Sequence, residues 1–158
     1  RIGVGQREFG MLKFRTMVRG AAEQQEALEE HNEAPGALFK IREDPRVTGV
    51  GRFLRRFSLD ELPQLLNVVR GDMSLVGPRP PLPREVASYE PSTRRRLLVK
   101  PGMTGLAQIR GYRGATSTRS DLTNRLQADL EYLSGWSLGR DVAIIARTLR
   151  VMAHRNAF

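Results

Sequence analysis

The chain has 158 residues, 40% apolar and 27% charged, which suits a single globular domain over residues 1–158 with its own core. It has no cysteine and only two histidines, His31 and His154. That excludes disulfides and thiolate metal sites and argues against a histidine-based zinc site. The net charge is +9, and 23 of the 26 basic residues are arginine. Arginine grips phosphate in two-pronged fashion, so the composition points to a nucleotide, nucleic acid or anionic lipid partner, or else to codon bias in a GC-rich genome.

No stretch approaches the roughly 20 apolar residues that span a bilayer, and none of the sequence reads as a signal peptide. The chain starts at Arg1 and "RIGVG" reads like the middle of an element, so the sequence is read as a fragment. Residues Arg1–Gly5 and Phe9–Phe14 alternate around a Gly-Gln-Arg turn, which predicts a β-hairpin. Gly20–Gly36 is rich in Ala, Glu and Gln and reads as an exposed acidic helix and loop, its glutamates a solvated face or a lid over a basic site. Leu38–Ile41 is strand-like, and Asp44-Pro45 marks a turn. Val50–Phe57 predicts a short helix with Phe53, Leu54 and Phe57 opposite Arg52, Arg55 and Arg56.

A second helix is expected from about Leu59 to Val69, ending at Gly71, with Leu62, Leu65, Leu66 and Val69 as its buried stripe. "GPRPPLPREV" can be neither helix nor central strand and reads as a rigid extended segment. Glu85–Tyr89 can start a helix, and "GLAQI" (Gly105–Ile109) is strand-like. From about Ser120 two helices follow, broken at Ser134–Ser137, the last with the stripe Leu138, Val142, Ile145, Leu149 and Met152. The resulting class is α+β: mostly helical, with a small N-terminal hairpin or short sheet. Without βαβ alternation or a glycine-rich phosphate loop, a doubly wound nucleotide fold is rejected.

The chemistry-bearing stretch is "SLDELPQLLNVVRGDMSLVGPRP" (Ser58–Pro80). Ser58-x-x-Glu61 fits a capping box, which would explain the Asp60-Glu61 pair structurally. The same pair also suits phosphorus chemistry. A carboxylate at a helix start is expected to stay ionised, as a nucleophile or a hard-cation ligand must. Two adjacent carboxylates diverge, so one can attack while the other holds Mg²⁺. Arg79 stands between Pro78 and Pro80, which present its guanidinium with little freedom to lose. Lys13 and Arg15, two apart on an extended segment, share a face, and Arg55 and Arg56 precede Ser58 by one turn. Together they form a positive wall around Asp60 or a plain solvated basic face.

"KFRTM" (Lys13–Met17), "DPRVTGVGRFLRR" (Asp44–Arg56), the Ser58–Pro80 stretch, "VKPGMTGLAQIRG" (Val99–Gly111) and "WSLGRDVAIIARTL" (Trp136–Leu149) occur in this order. This series resembles the bacterial sugar transferase family, the monotopic phosphoglycosyl transferases, over nearly the whole chain. The resemblance implies transfer of a sugar 1-phosphate from a UDP-sugar to undecaprenyl phosphate, with release of UMP, at the start of capsule, exopolysaccharide or O-antigen synthesis. It implies Asp60 as nucleophile through a covalent phosphosugar intermediate, Glu61 as the Mg²⁺ ligand, and Arg79, Lys13 and Arg15 near phosphate. Arg55 and Arg56 join that group as the adjoining basic wall. Gln108, Arg110 and Arg113 are candidates for holding the nucleotide. The resemblance also implies a hydrophobic N-terminal membrane helix ahead of this sequence and a place at the cytoplasmic face of the inner membrane.

Two other readings compete. A nucleic-acid-binding module is suggested by the Arg clusters at 55–56 and 94–96, but aromatic content is only 6% and no stacking pattern, helix-turn-helix or zinc motif occurs. A membrane-surface adaptor without catalysis is suggested by the last helix, apolar on one face with Arg140, Arg147, Arg150 and Arg155 nearby. The Asp60-Glu61 dyad has no use in either, so no nucleic-acid partner is expected.

Overall fold

The computed structural model describes residues 1–32, 41, 43–87, 89–112 and 119–153. The first helix, α1 (Gly49–Arg56), is capped by Thr48, whose Oγ1 accepts from the Gly51 amide at 2.9 Å. A 3₁₀ turn, Leu59–Glu61, leads into α2 (Gln64–Arg70). Then come β1 (Ser74–Val76), α3 (Pro83–Ala87), a 3₁₀ turn Thr93–Leu98, β2 (Gly102–Thr104), α4 (Leu106–Ile109), α5 (Arg119–Ser134) and α6 (Leu138–Ala153). The class is α+β, as the sequence pattern predicts.

The sheet lies elsewhere than expected. β1 and β2 pair in parallel, with Ser74 opposite Gly102 and Val76 opposite Thr104, and α3 lies in the crossover between them. Gly102 permits this pairing, because a Cβ there would collide with the backbone of Val76 and Gly77. The expected N-terminal hairpin is reduced to one antiparallel bridge, Ile2 to Glu8, and a second isolated bridge joins Met17 to Val47. The strand expected at Leu38–Ile41 lies almost wholly outside the described residues, as does the end of the acidic segment. Of that segment, Glu26–His31 is a 3₁₀ helix rather than an α-helix.

Two apolar clusters organise the domain. Val76, Leu106, Ala107, Ala128, Tyr132 and Ile144 join the sheet to α4, α5 and α6. Ile2, Val86 and Leu97 form the second, with Tyr89 packed on it. "GLAQI" therefore becomes the helix α4 and not a strand. Its burial of Leu106 and Ala107 against α5 and α6 outweighs the local pattern.

The stripe expected to be buried on α2 is solvent-exposed: Leu62, Leu65, Leu66 and Val69 all face outward. α2 instead buries its polar residues Gln64 and Asn67. The helix is also shorter than predicted, since Pro63 separates it from the 3₁₀ turn; it ends where expected, at Gly71, in the left-handed conformation with φ +84°. On α6, Leu138, Val142 and Leu149 are likewise exposed. That helix reaches the core through Ile144 and Ile145, with Thr148 Oγ1 2.6 Å from Thr104 Oγ1.

Candidate active site

The extended residues 12–18 form the first wall of the site. Their amides are stitched to the helices one after another: Leu12 to Asn67 Oδ1 at 3.0 Å, Phe14 to the Asp60 carbonyl at 2.9 Å and Val18 to the Arg46 carbonyl at 2.9 Å. The Thr16 carbonyl accepts from the Thr48 amide at 3.0 Å. Gly51 is needed here, because a side chain would run into the Thr16 backbone. Asn67 is fully buried and also donates Nδ2 to the Gly10 carbonyl and to Asp72 Oδ2. A polar residue inside the apolar run "LLNVV" was the available signal for this role, and sequence reasoning missed it, as it missed Thr16.

This stitching places Lys13 over the dyad. Its Nζ donates to Glu61 Oε1 at 2.7 Å and lies 3.9 Å from Asp60 Oδ2. The Lys13 and Glu61 side chains are about a third exposed, whereas Asp60 is buried. The expected capping box does not form. Ser58 sits in the left-handed region at φ +53° with no side-chain cap, and Glu61 reaches Lys13 instead of turning back.

Asp60 titrates opposite to the helix-start expectation. Burial pushes its carboxyl above the usual range, and Glu61 adds to this, while Lys13 and Arg55 pull it down. The reason is positional: Asp60 lies in a 3₁₀ turn ahead of α2, so desolvation outweighs any helix-end field.

Of the other basic residues, Arg55 is within electrostatic reach of Asp60 and is oriented by its Nε hydrogen bond to Thr16 Oγ1 at 2.9 Å. Arg15 is exposed beside Lys13. Arg56 turns outward over the Phe57 ring, 5.8 Å from its centroid. Arg79 lines a recess with Glu85, Tyr89, Arg96 and Arg125. Arg1 is partly buried, and burial first, then the neighbouring Arg79, lowers its proton affinity, while Glu85 and Glu61 raise it.

The nucleotide candidates are not brought to the dyad by any described contact. Gln108 is partly buried and donates Nε2 to the Met103 carbonyl at 3.1 Å. Its Oε1 is buried without a hydrogen-bond partner. Arg110 is held by Glu131 in a two-pronged pair at 2.5 and 2.8 Å, and Arg140 joins the same carboxylate. Arg113 lies outside the described residues.

A divalent cation would find two adjacent carboxylates here, already bridged by an ammonium. Among the described residues no group of three or more His, Cys, Asp or Glu side chains converges. Such a sparse oxygen set fits Mg²⁺, which keeps several waters and takes other ligands from substrate phosphates. It does not fit a metal that needs a full protein cage.

This α+β domain, with an acidic dyad under basic side chains, matches the bacterial sugar transferase family model over residues 1–155, and the chain belongs to that family. It is 43% identical over 152 residues to the galactosyl transferase CpsE of Streptococcus agalactiae, covering 96% of this chain and 33% of that protein. It is 45% identical over 150 residues to the UDP-glucose:undecaprenyl-phosphate glucose-1-phosphate transferase of Caulobacter vibrioides, covering 93% of this chain and 52% of the relative. It is also 43% identical over 155 residues to the exopolysaccharide production protein ExoY of Rhizobium meliloti, covering 94% and 66%. The chain thus spans a third to two thirds of the length of these relatives. Among the described residues no helix is long and apolar enough to cross a membrane.

Proposed function

We propose that the protein carrying this chain transfers a hexose 1-phosphate from a UDP-hexose to undecaprenyl phosphate, as the names of its relatives suggest, in the initiation of an exopolysaccharide. The observation that carries the reading is the buried Asp60 beside the accessible Glu61, both under the ammonium of Lys13.

An Asp60 oxygen attacks the β-phosphorus of the donor. The P–O bond to the leaving UMP breaks, and its electron pair departs with UMP. A phosphate oxygen of the polyprenyl acceptor then attacks the same phosphorus, and the Asp60 carboxylate leaves. Splitting the transfer in two means that donor and acceptor need not react directly with each other. Lys13 and Arg55 oppose the rise that burial causes in the Asp60 proton affinity, in the direction that favours the anion needed for attack. Glu61 would hold Mg²⁺, which would neutralise phosphoryl oxygens when bound. Glu61 would then exchange its hydrogen bond with Lys13 for the cation, and both side chains are exposed enough to allow that.

The acceptor is a membrane lipid, and the outward-facing Phe53, Phe57, Leu65, Leu66 and Val69 suit a bilayer surface. Arg52, Arg56 and Arg70, interspersed with them in sequence, favour an anionic one. The test is UMP release from UDP-glucose and UDP-galactose with undecaprenyl phosphate and Mg²⁺, on the full-length protein in nanodiscs. UMP release and an intact-mass adduct of one phosphohexose, both lost in Asp60→Asn, are expected. Transfer persisting in that variant would overturn the assignment.

A further inference from the structure

The extended residues 12–18 reach the charges of the dyad twice, once directly and once through a relay. Directly, Lys13 bonds Glu61 and approaches Asp60. The relay runs through Thr16. This residue is 7% exposed, and its Oγ1 accepts from Arg55 Nε at 2.9 Å. Arg55 itself is only partly buried. A long side chain in that position has many rotamers open to it, and a hydrogen bond at Nε fixes it at the neck of the guanidinium.

The main chain and the side chain of Thr16 have separate duties. Its carbonyl accepts from the Thr48 amide at 3.0 Å and from Thr48 Oγ1 at 3.4 Å, and its backbone lies against Gly51. Those contacts dock the extended segment on the start of α1. The Thr16 hydroxyl has no share in them. A valine of the same shape would keep the docking and lose only the bond to Arg55.

Two carboxylates compete for Arg55. Asp60 follows it by five residues in the chain, and α1 packs against the 3₁₀ turn that carries the dyad. At Asp60 burial raises the proton affinity, and Lys13 and then Arg55 oppose it. Asp44 is the competitor. Its carboxyl is held low chiefly by hydrogen bonds from Arg46, with a smaller pull from Arg55. Arg46 already grips it, with Nε 2.9 Å from Oδ1 and Nη2 2.6 Å from Oδ2. An Arg55 released from Thr16 would divide its time between solvent, Asp44 and the dyad.

We infer that Thr16 is a positioning residue for the transfer, its hydroxyl holding Arg55 on the Asp60 side so that the guanidinium meets the phosphoryl oxygens as charge builds on them. The inference rests on the proposed function for the reaction it serves. Arg55 is the group that would touch substrate, and Thr16 acts only through it. A guanidinium already in place needs no reorganisation at the transition state, whereas a mobile one must be ordered in every turnover.

The first readout needs no turnover. The full-length protein in nanodiscs is treated with phenylglyoxal, and modification of Arg55 is followed by peptide mass spectrometry. Thr16→Val is expected to label several-fold faster at Arg55 than the wild type, and Thr16→Ser at the wild-type rate. An unchanged rate in Thr16→Val overturns the inference. The second readout is UMP release from the UDP-hexose that the wild type turns over. Thr16→Val should lower kcat by about tenfold with the donor KM within about twofold, as for the loss of one hydrogen bond to a charged group. Thr16→Ser, which keeps the hydroxyl, should restore kcat. In an Arg55→Met background the Thr16→Val change should cost nothing further. A wild-type kcat in Thr16→Val, or equal losses in both backgrounds, overturns the inference, because Thr16 would then not act through Arg55. Arg55→Lys carries the charge without the Nε and keeps the test available if Thr16→Val does not fold. It should lose about as much kcat, and a wild-type kcat there also overturns the inference. Labelling as expected in a protein that releases no UMP would remove the transferase reading and the positioning role together, leaving only the hydrogen bond.

Discussion

The dyad and the arginine recess handle charge in opposite ways. At the dyad one carboxylate is buried, but its partner Glu61 and the bridging Lys13 are about a third open to solvent. In the recess, the Arg96–Asp129 pair has side chains only 4% and 2% exposed and is backed by Tyr89 and the Arg79 carbonyl. A half-open pair is weak and can exchange partners. A buried pair cannot rearrange without leaving a bare charge in the core. The first arrangement suits a centre where a cation and a substrate come and go, and the second suits a fixed frame.

The contrast predicts where substitutions act. The largest effect is expected at Asp60, the proposed nucleophile. Asp60→Asn should reduce UMP release by at least about 10³-fold, roughly 4 kcal/mol of transition-state stabilisation, while leaving the melting temperature near that of the wild type. Next is the frame. Arg96→Met leaves the Asp129 carboxylate buried without its counter-charge and should cost about 3–5 kcal/mol in denaturant unfolding. A loss below about 1 kcal/mol would show that the pair does not hold the recess together.

The same aspartate gives a pH signature. Burial pushes the Asp129 carboxyl up from 3.8 to about 6, against the pull of Arg96 and Arg125. The folded chain therefore binds this proton more tightly than the unfolded chain. That contribution to stability is fully present below about pH 3.8 and is lost as pH rises through about 6. Asp129→Asn should flatten this part of the stability profile, measured by urea unfolding at a series of pH values.

A smaller change is expected at Lys13. Removing its charge in Lys13→Met takes away the strongest influence lowering the Asp60 pKa, so the acid limb of the transfer rate should move to higher pH. Lys13→Arg should largely restore it, and an unshifted limb in Lys13→Met would separate Lys13 from the nucleophile. The smallest effect belongs to Arg110, whose pairing with Glu131 is well exposed on both sides. Arg110→Met should melt within error of the wild type.

Much of the site was legible because its parts are local. Adjacent residues Asp60 and Glu61, the proline-flanked Arg79 and the helix stop at Gly71 depend on neighbours in the chain. The recess was not legible in the same way. Arg96 and Asp129 stand far apart in sequence on different elements, and nothing in the "RRR" run distinguishes the one arginine that turns inward. Asn67 and Thr16 were missed for a related reason: their partners are backbone groups of a distant segment. The apolar stripe of α2 misled, because periodicity reports that a helix has an apolar face but not whether the protein's own core covers it.

The α+β class, the order of most helices and the family could be read from the chain alone, because they rest on short-range spacing and on motifs in a set order. The folded contacts were needed to show that the sheet is a parallel pair of Ser74–Val76 and Gly102–Thr104 and that α2 buries Asn67 while exposing its leucines. They alone decided that Asp60 is raised rather than lowered in pKa, and that three arginines share one recess. These depend on which surfaces meet and which charges lose water. Desolvation and long-range packing are properties of the folded arrangement and not of any stretch of chain.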